Sequence, residues 1–197
     1  MRLFGDESML RHIKKCKEAE GILNNEENWA ISLEELDAFI AIIYARGAYG
    51  CNGMDYDFLW NNTWGPPFFR ETMSRNRFRD IMKYLRFELK STRTQRLEND
   101  KFALFFDIWN KFIQNCENSY KPGENLVVDE QLFKSKARCK FIQYMPNKPD
   151  KFGIKFWMLV DVDSKYMCNA FPYLGKNASR SETESLPEMR LLSHYPN

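Results

Sequence analysis

The chain has 197 residues, of which 44% are hydrophobic, 15% aromatic and 28% charged, and its formal net charge is +2. This profile excludes a uniformly basic protein, so any nucleic-acid binding has to come from local clusters of cations. It indicates a folded protein with one good core or two small domains. The sequence shows no signal peptide and no apolar run of membrane-spanning length, so we expect a soluble intracellular protein without a membrane partner.

The cysteines favour neither a disulfide framework nor a zinc site. None of the five has CxxC spacing, and the two histidines lie near opposite ends of the chain. We therefore expect free thiols and no zinc.

Helical periodicity dominates the first half of the sequence. Residues 1–27 are polar, with a short helix expected after Ser8 whose lysines indicate a solvated face. Ser32 and Glu35 have the spacing of a capping box and open a strongly apolar helix that ends near Gly47. This helix should be buried on more than one side.

Asp55 and Asp57 lie in a loop rich in glycine, asparagine and proline. They could be read as a metal pair, but aspartates in such loops more often cap helices. We predict a structural role for both.

A basic helix is predicted over residues 75–88, with Ser74 as its cap. Apolar residues recur at helical spacing and form a core stripe, while Arg75, Arg77, Arg79 and Lys83 lie between them. Two interpretations stand side by side. The cations either follow a DNA phosphate backbone or form an ordinary solvated face.

A loop is predicted for residues 91–100 and a second aromatic helix from Asp100 onward, ending at the Tyr120–Gly123 stretch. Beyond residue 125 the period changes from 3.6 to 2. If residues 126–133 form a strand, Asp129 shares one face with Val127. A carboxylate there either faces solvent on an edge strand or, if buried, requires a cation, a metal or water.

Cations follow this strand. Lys134, Lys136, Arg138 and Lys140 have the same parity, so an extended chain would place them on one face, and Lys148 and Lys151 enlarge the positive patch. Such a face suits a nucleic-acid backbone, although a simple solvent-exposed surface is the alternative. Residues 154–160 read as a central strand with 165–171 as its hairpin partner, and Asp161 and Asp163 as turn residues.

A set of short segments, in this order along the chain, resembles the piggyBac-type transposases and their domesticated relatives. The resemblance covers roughly residues 28–176. The segments are Leu59-Trp60, Trp64-Gly65, Met73–Phe78, Tyr84–Phe87, Val128–Gln131, Tyr144–Pro149, Lys151–Lys155 and Tyr173–Gly175.

The resemblance implies an α+β fold, in which an all-helical N-terminal region precedes the opening β-strands of an incomplete ribonuclease-H-like core. We accordingly predict a polar segment over 1–27 and a helical dimerisation and DNA-binding region over 28–121. A partial transposase core over 122–176 follows, and then an unmatched, disordered tail over 177–197.

The resemblance also makes Asp129 the first aspartate of a catalytic carboxylate triad and a ligand of Mg²⁺ or Mn²⁺. In the family the other two aspartates lie beyond the Tyr173–Gly175 motif, yet no aspartate follows Asp163 here. We therefore expect a chain that stops before the second catalytic aspartate and does not catalyse transposition alone.

The implied partners are double-stranded DNA and either a second copy of the chain or a full-length transposase, and the implied location is the nucleus. Two alternative interpretations remain. The chain could be a non-catalytic interaction or dimerisation protein, or a decayed relic without activity.

Overall fold

The computed structural model describes residues 5–24, 29–51, 53–135, 137 and 139–175. Lys136, Arg138 and the tail over 177–197 lie outside these ranges. The chain divides into two compact units, with the boundary between Thr92 and Arg93. We call them the helical unit (Asp6–Thr92) and the sheet unit (from Arg93 onward).

The helical unit contains five α-helices and a short 3-10 helix over Lys90–Thr92 within its described residues. The helices are α1 (Glu7–Leu23), α2 (Leu33–Ala48), α3 (Tyr56–Leu59), α4 (Pro67–Thr72) and α5 (Arg75–Lys83). Leu36, Phe39 and Ile42 of α2 are buried, as are Phe78 and Ile81 of α5. Apolar side chains at helical spacing therefore form this core, as the sequence indicated.

The predicted helix caps are present. The Ser32 hydroxyl accepts from the Glu35 N–H at 3.1 Å, and the Glu35 carboxylate accepts from the Ser32 N–H at 3.2 Å. Asp55 accepts from the Asp57 N–H at 2.7 Å at the start of α3, and Ser74 accepts from the Arg77 N–H at 3.3 Å at the start of α5. These bonds satisfy donors that a helix start leaves unpaired.

Two features of the helical unit differ from the sequence expectation. Helix α1 is 17 residues long and buries Lys17 completely, so its lysines do not all lie on a solvated face. Helix α5 ends at Lys83 and not at residue 88, and the next residue, Tyr84, is buried edge-on against Trp29 with ring centroids 5.2 Å apart.

The sheet unit contains two helices and four strands in its described part. They are α6 (Arg93–Asn99), α7 (Phe106–Ser119), β1 (Leu126–Lys134), β2 (Ile142–Tyr144), β3 (Phe152–Asp161) and β4 (Met167–Pro172). All strand pairs are antiparallel, and β3 pairs with each of the other three strands. Helices followed by a small antiparallel sheet confirm the predicted α+β class.

Strand β3 is the centre of the sheet. It pairs with β1 over nearly its whole length, from Lys134 opposite Gly153 to Leu126 opposite Asp161. Its other edge pairs first with β2 and then with β4. The apolar run that the sequence predicted as a central, doubly covered strand takes this position, with Leu159 fully buried.

Helix α7 packs on the sheet and belongs to the same unit. The Trp109 indole N–H donates to the Ala170 carbonyl at 3.2 Å, and the ring centroids of Trp109 and Phe156 are 4.7 Å apart. The predicted helical region over 28–121 therefore differs from the compact units, because α6 and α7 group with the strands. None of the helices in the described ranges combines the length and apolar character needed to cross a membrane.

Candidate functional site

Strand β1 alternates between an exposed and a more buried face, as its period-2 pattern predicted. Val127, Asp129 and Phe133 are exposed, whereas Val128 and Leu132 are partly or fully buried. We call the side that carries Asp129 the Asp129 face. Directly paired residues of neighbouring strands lie on the same face of a sheet, so Met158 of β3, which pairs with Asp129, also belongs to it.

Asp129 is exposed to solvent, and its carboxylate accepts a 2.7 Å bond from the N–H of the following residue, Glu130. The desolvation cost of a buried carboxylate therefore does not arise, because water solvates this one. The described ranges contain no group of three or more histidine, cysteine, aspartate or glutamate side chains that could hold a metal ion. One carboxylate does not fit a two-ion site, which is built from several shared oxygen ligands.

The opposite face of β1 holds an internal charge pair. The Lys155 ammonium lies 2.5 Å from a Glu130 carboxylate oxygen and over the rings of Trp157 and Tyr173, at 4.4 and 5.3 Å from their centroids. Lys155, four residues beyond Lys151, is therefore engaged within the sheet unit. Because this ammonium already interacts with a carboxylate and with the faces of two rings, it is a weak candidate for a phosphate contact.

Asp161, the buried carboxylate at the end of β3, shapes the turn into β4. It accepts from the Ser164 N–H at 2.8 Å, the Ser164 hydroxyl at 2.9 Å, the Gly123 N–H at 2.7 Å and the Asp163 N–H at 3.0 Å. These bonds, those from the Ser164 and Gly123 backbone above all, lower the pKa of Asp161 to about 2. Its predicted role as a turn residue is confirmed.

The described residues that follow β1 do not continue it as an extended strand. Strand β1 ends at Lys134, whose ammonium pairs with Asp150 at 2.6 Å, and the described residues between Ser135 and Phe141 form no strand. Lys140 and Lys151 are exposed and Lys148 is half-buried. Of the six predicted DNA-binding residues in this region, Lys136 and Arg138 lie outside the described ranges.

The four cations of α5 differ in exposure: Arg75 and Arg77 are half-buried, whereas Arg79 and Lys83 are exposed. Arg77 donates to the Glu35 carboxylate at 2.8 and 2.9 Å and to the Ala30 carbonyl at 2.6 Å, and its guanidinium lies 5.3 Å from the Trp29 ring centroid. Its side-chain hydrogen bonds hold the pKa of Glu35 below its usual value.

Arg75 forms the second protein contact, a 2.7 Å ion pair with Asp57. The remaining two, Arg79 and Lys83, are exposed, and Lys83 lies over the Tyr84 ring at 4.6 Å. The structure therefore assigns Arg77 and Arg75 to contacts within the helical unit. Arg79 and Lys83 are more exposed to solvent than Arg75 and Arg77.

Sequence reasoning missed the aromatic residues that accompany the sheet cations. Phe133, Tyr144 and Phe152 are exposed on strands β1, β2 and β3. Their only signal in the sequence is position, since Tyr144 and Phe152 flank the lysine- and proline-containing turn between β2 and β3. An aromatic residue in a strand is more often a core residue, so the sequence alone gives no reason to place these three outside.

Comparison with known proteins settles the family. The sequence model of the Transposase IS4 family matches residues 1–193, beyond both ends of the segments that carry the piggyBac resemblance. The chain belongs to this transposase family. A cryo-EM structure of the piggyBac transposase synaptic complex with hairpin DNA matches it with a TM-score of 0.91 and 33% sequence identity. The match covers 100% of this chain and 42% of the piggyBac transposase chain, and it confirms the piggyBac-type resemblance.

Proposed function

We propose that this piggyBac-type chain binds double-stranded DNA and does not cut it with its own carboxylates. The observation that carries the proposal is the density of positive charge at one end of the sheet. Residues 133–152 contain six lysines and arginines and a single acidic residue, Asp150. Such a local excess of cations binds phosphates by releasing their counterions, even where the net charge of the whole chain is small.

Three sheet cations are the strongest candidates for phosphate contacts. No ion pair is found for Lys140, Lys148 or Lys151 among the described residues, whereas Lys134 shares its charge with Asp150. Lys136 and Arg138 join the candidate set by sequence. In the helical unit the exposed Arg79 is a better candidate than Arg75 and Arg77, which would have to leave Asp57 and Glu35 to reach a phosphate.

The chemistry of the Asp129 face supports binding without cleavage. Asp129 as a catalytic residue, and Mg²⁺ or Mn²⁺ as its ion, rest on the family resemblance, and the described residues form no group of three or more candidate ligands. The matched piggyBac transposase structure is a synaptic complex with hairpin DNA, which supports DNA as a partner and association with another transposase chain. The nucleus as the location rests on membership of the transposase family.

Fluorescence anisotropy with a labelled duplex tests the DNA-binding proposal. We expect an affinity that falls steeply as salt concentration rises, because cations that contact phosphates release bound counterions. The double variant Lys140→Ala/Lys151→Ala should reduce the slope of log affinity against log salt by about 2. Lys121→Ala removes an exposed lysine of the sheet unit that lies outside residues 133–152 and should leave the slope unchanged.

An end-labelled duplex incubated with Mg²⁺ or Mn²⁺ provides the second readout of the same preparation. We expect the strands to stay intact. Strand cleavage that Asp129→Asn abolishes would refute the non-cutting half of the proposal. A duplex affinity that is absent at low salt, together with a concentration-dependent dimer in sedimentation, would favour the alternative of an interaction protein.

A further inference from the structure

Two aromatic rings are stacked on the surface of the sheet at its basic end. Tyr144 of β2 and Phe152 of β3 are direct register partners, with ring centroids 4.9 Å apart and planes inclined by 39°. They are 57% and 58% exposed. The two rings stabilise each other's position without being covered, so they present a preformed aromatic surface to solvent.

The turn between these residues is held by backbone bonds. The Met145 N–H donates to the Lys151 carbonyl at 2.8 Å, and the Lys148 N–H donates to the Met145 carbonyl at 3.1 Å. Lys148 and Lys151 are part of this tight connection between the two stacked residues. The stacked rings and these two cations therefore belong to the same hairpin.

Phe133 enlarges the surface. It pairs with Ile154 on β3, two residues from Phe152, so both phenyl rings lie on the same face of the sheet. Phe133 is 49% exposed, and its other side packs edge-on against the buried Phe156 with ring centroids 5.3 Å apart. A ring that is held in place by a buried neighbour and is exposed on its other side is suited to stack with another planar ring.

We propose that Phe133, Tyr144 and Phe152 form a stacking platform for unpaired nucleotides of a DNA end. The inference rests on the proposed DNA binding and adds the kind of DNA that this surface selects. Cations alone would suit any duplex, but exposed rings interleaved with cations match single strands, whose bases offer free faces for stacking. In an intact duplex those faces are occupied by neighbouring base pairs.

The platform lies on the Asp129 face. Phe133 follows Asp129 by four residues on β1, and a strand rises about 3.3 Å per residue, which places their backbone positions roughly 13 Å apart. Alternation along the strand directs both side chains to the same side. An unpaired nucleotide on the platform would therefore lie on the same side of the sheet as the Asp129 carboxylate.

Anisotropy titrations with two labelled DNA molecules test this inference. One is a blunt duplex, and the other is the same duplex with a short single-stranded overhang. We expect the wild-type chain to bind the overhang substrate more tightly. Tyr144→Ala should reduce that preference about 5- to 150-fold, the range that loss of one stacked base produces, while duplex affinity stays unchanged. Tyr144→Phe, which keeps the ring, should retain the preference.

Two controls separate stacking from folding and from charge. Trp64→Ala removes an exposed aromatic residue of the helical unit and should leave both affinities as in the wild type. Lys151→Ala should weaken both substrates by the same factor, because it removes a phosphate contact. Circular dichroism of each variant shows whether the sheet is retained, and Phe152→Ala repeats the test if Tyr144→Ala is unfolded.

The outcomes distinguish the two proposals. Duplex binding without preference for the overhang, or a preference that survives both Tyr144→Ala and Phe152→Ala, overturns the platform and leaves the proposed function standing. Failure of the wild-type chain to bind either DNA overturns both. A preference that is lost in the alanine variants and kept in Tyr144→Phe establishes the platform.

Discussion

Lys17 is the residue whose position is least expected from its chemistry. Its side chain is fully buried in α1, its ammonium nitrogen has no hydrogen-bond partner among the described residues, and it lies 4.6 Å from the Phe39 ring centroid. Burial, assisted by the positive charge of Arg77, lowers the pKa of Lys17 from 10.5 to about 7. The folded state therefore holds this proton more weakly than the unfolded state does.

The sign of the effect on stability follows from this difference. Between pH 7 and 10.5 the unfolded chain binds more protons at Lys17 than the folded chain, so stability rises with pH across this window. Below pH 7 both states carry the proton, and the cost of the buried charge is then fully present. We expect Lys17→Met, which keeps the volume and removes the charge, to stabilise the helical unit most at about pH 6. The gain is at most about 5 kcal/mol and fades toward pH 10.

Thermal unfolding followed over this pH range measures the gain. Lys15→Met is the matched control, because Lys15 is exposed on the same helix and its substitution should change stability by less than about 0.5 kcal/mol. A wild-type stability that is flat between pH 7 and 10, with Lys17→Met no more stable than the wild type, would contradict the burial of an unpaired amine.

At the scale of elements, the seam between β1 and β3 depends on one glycine. A Cβ atom added to Gly153 would lie 2.2 Å from the Phe133 carbonyl oxygen and 3.0 Å from a side-chain carbon of Leu132. The backbone cannot yield locally, because Gly153 pairs with Lys134 on β1 and with Gln143 on β2. Any side chain here must therefore separate the strands that hold the basic end of the sheet.

We expect Gly153→Ala to destabilise the sheet unit by about 1–3 kcal/mol or more, because overpacking usually costs this much. Gly47→Ala is the matched control, since nothing lies within 4 Å of the added Cβ and the residue sits in helix α2. It should stabilise the protein by about 0.5–1 kcal/mol. Denaturant unfolding of both variants provides the measurement, and equal effects of the two substitutions would argue against the close approach at Gly153.

The elements also show where sequence patterns suffice and where they do not. Strands β1, β3 and β4 follow from alternation and apolar runs, and the Ser32 cap follows from local spacing. Helix α6 was predicted to be a loop because it has no apolar stripe. An ion pair between Arg96 and Asp107, 3.0 Å long, connects it to α7, and such a contact between elements leaves no periodic signal. The helix expected from Asp100 begins at Phe106, because residues 101–105 turn and bury Phe102.

For the candidate site, the sequence shows where the cations lie along the chain but not which of them contact other protein groups. Arg77 and Arg79 look alike in the sequence, yet Arg77 bonds to Glu35 across 42 residues while Arg79 is exposed. Whether Phe133 and Tyr144 are core or surface depends on which helices cover the sheet. Both questions concern tertiary neighbours, which a single sequence does not specify.

For the whole molecule, the division at Thr92 and Arg93 predicts two separable unfolding events. Each unit has its own buried residues, with Phe69 and Phe78 in the helical unit and Phe141 and Leu159 in the sheet unit. Separate cores unfold as separate cooperative units unless an interface couples them. We therefore expect two transitions in calorimetry.

Single substitutions assign each transition to its unit. At about pH 6, Lys17→Met should raise only the transition of the helical unit, and Gly153→Ala should lower only that of the sheet unit. For units of this size each kcal/mol shifts the midpoint by about 4–8 °C, which is large enough to resolve. If both substitutions move one shared transition, the two units unfold cooperatively, and the boundary at residue 92 has no thermodynamic meaning. If each moves its own, the basic sheet surface is carried by a unit whose stability can be changed without altering the helical unit.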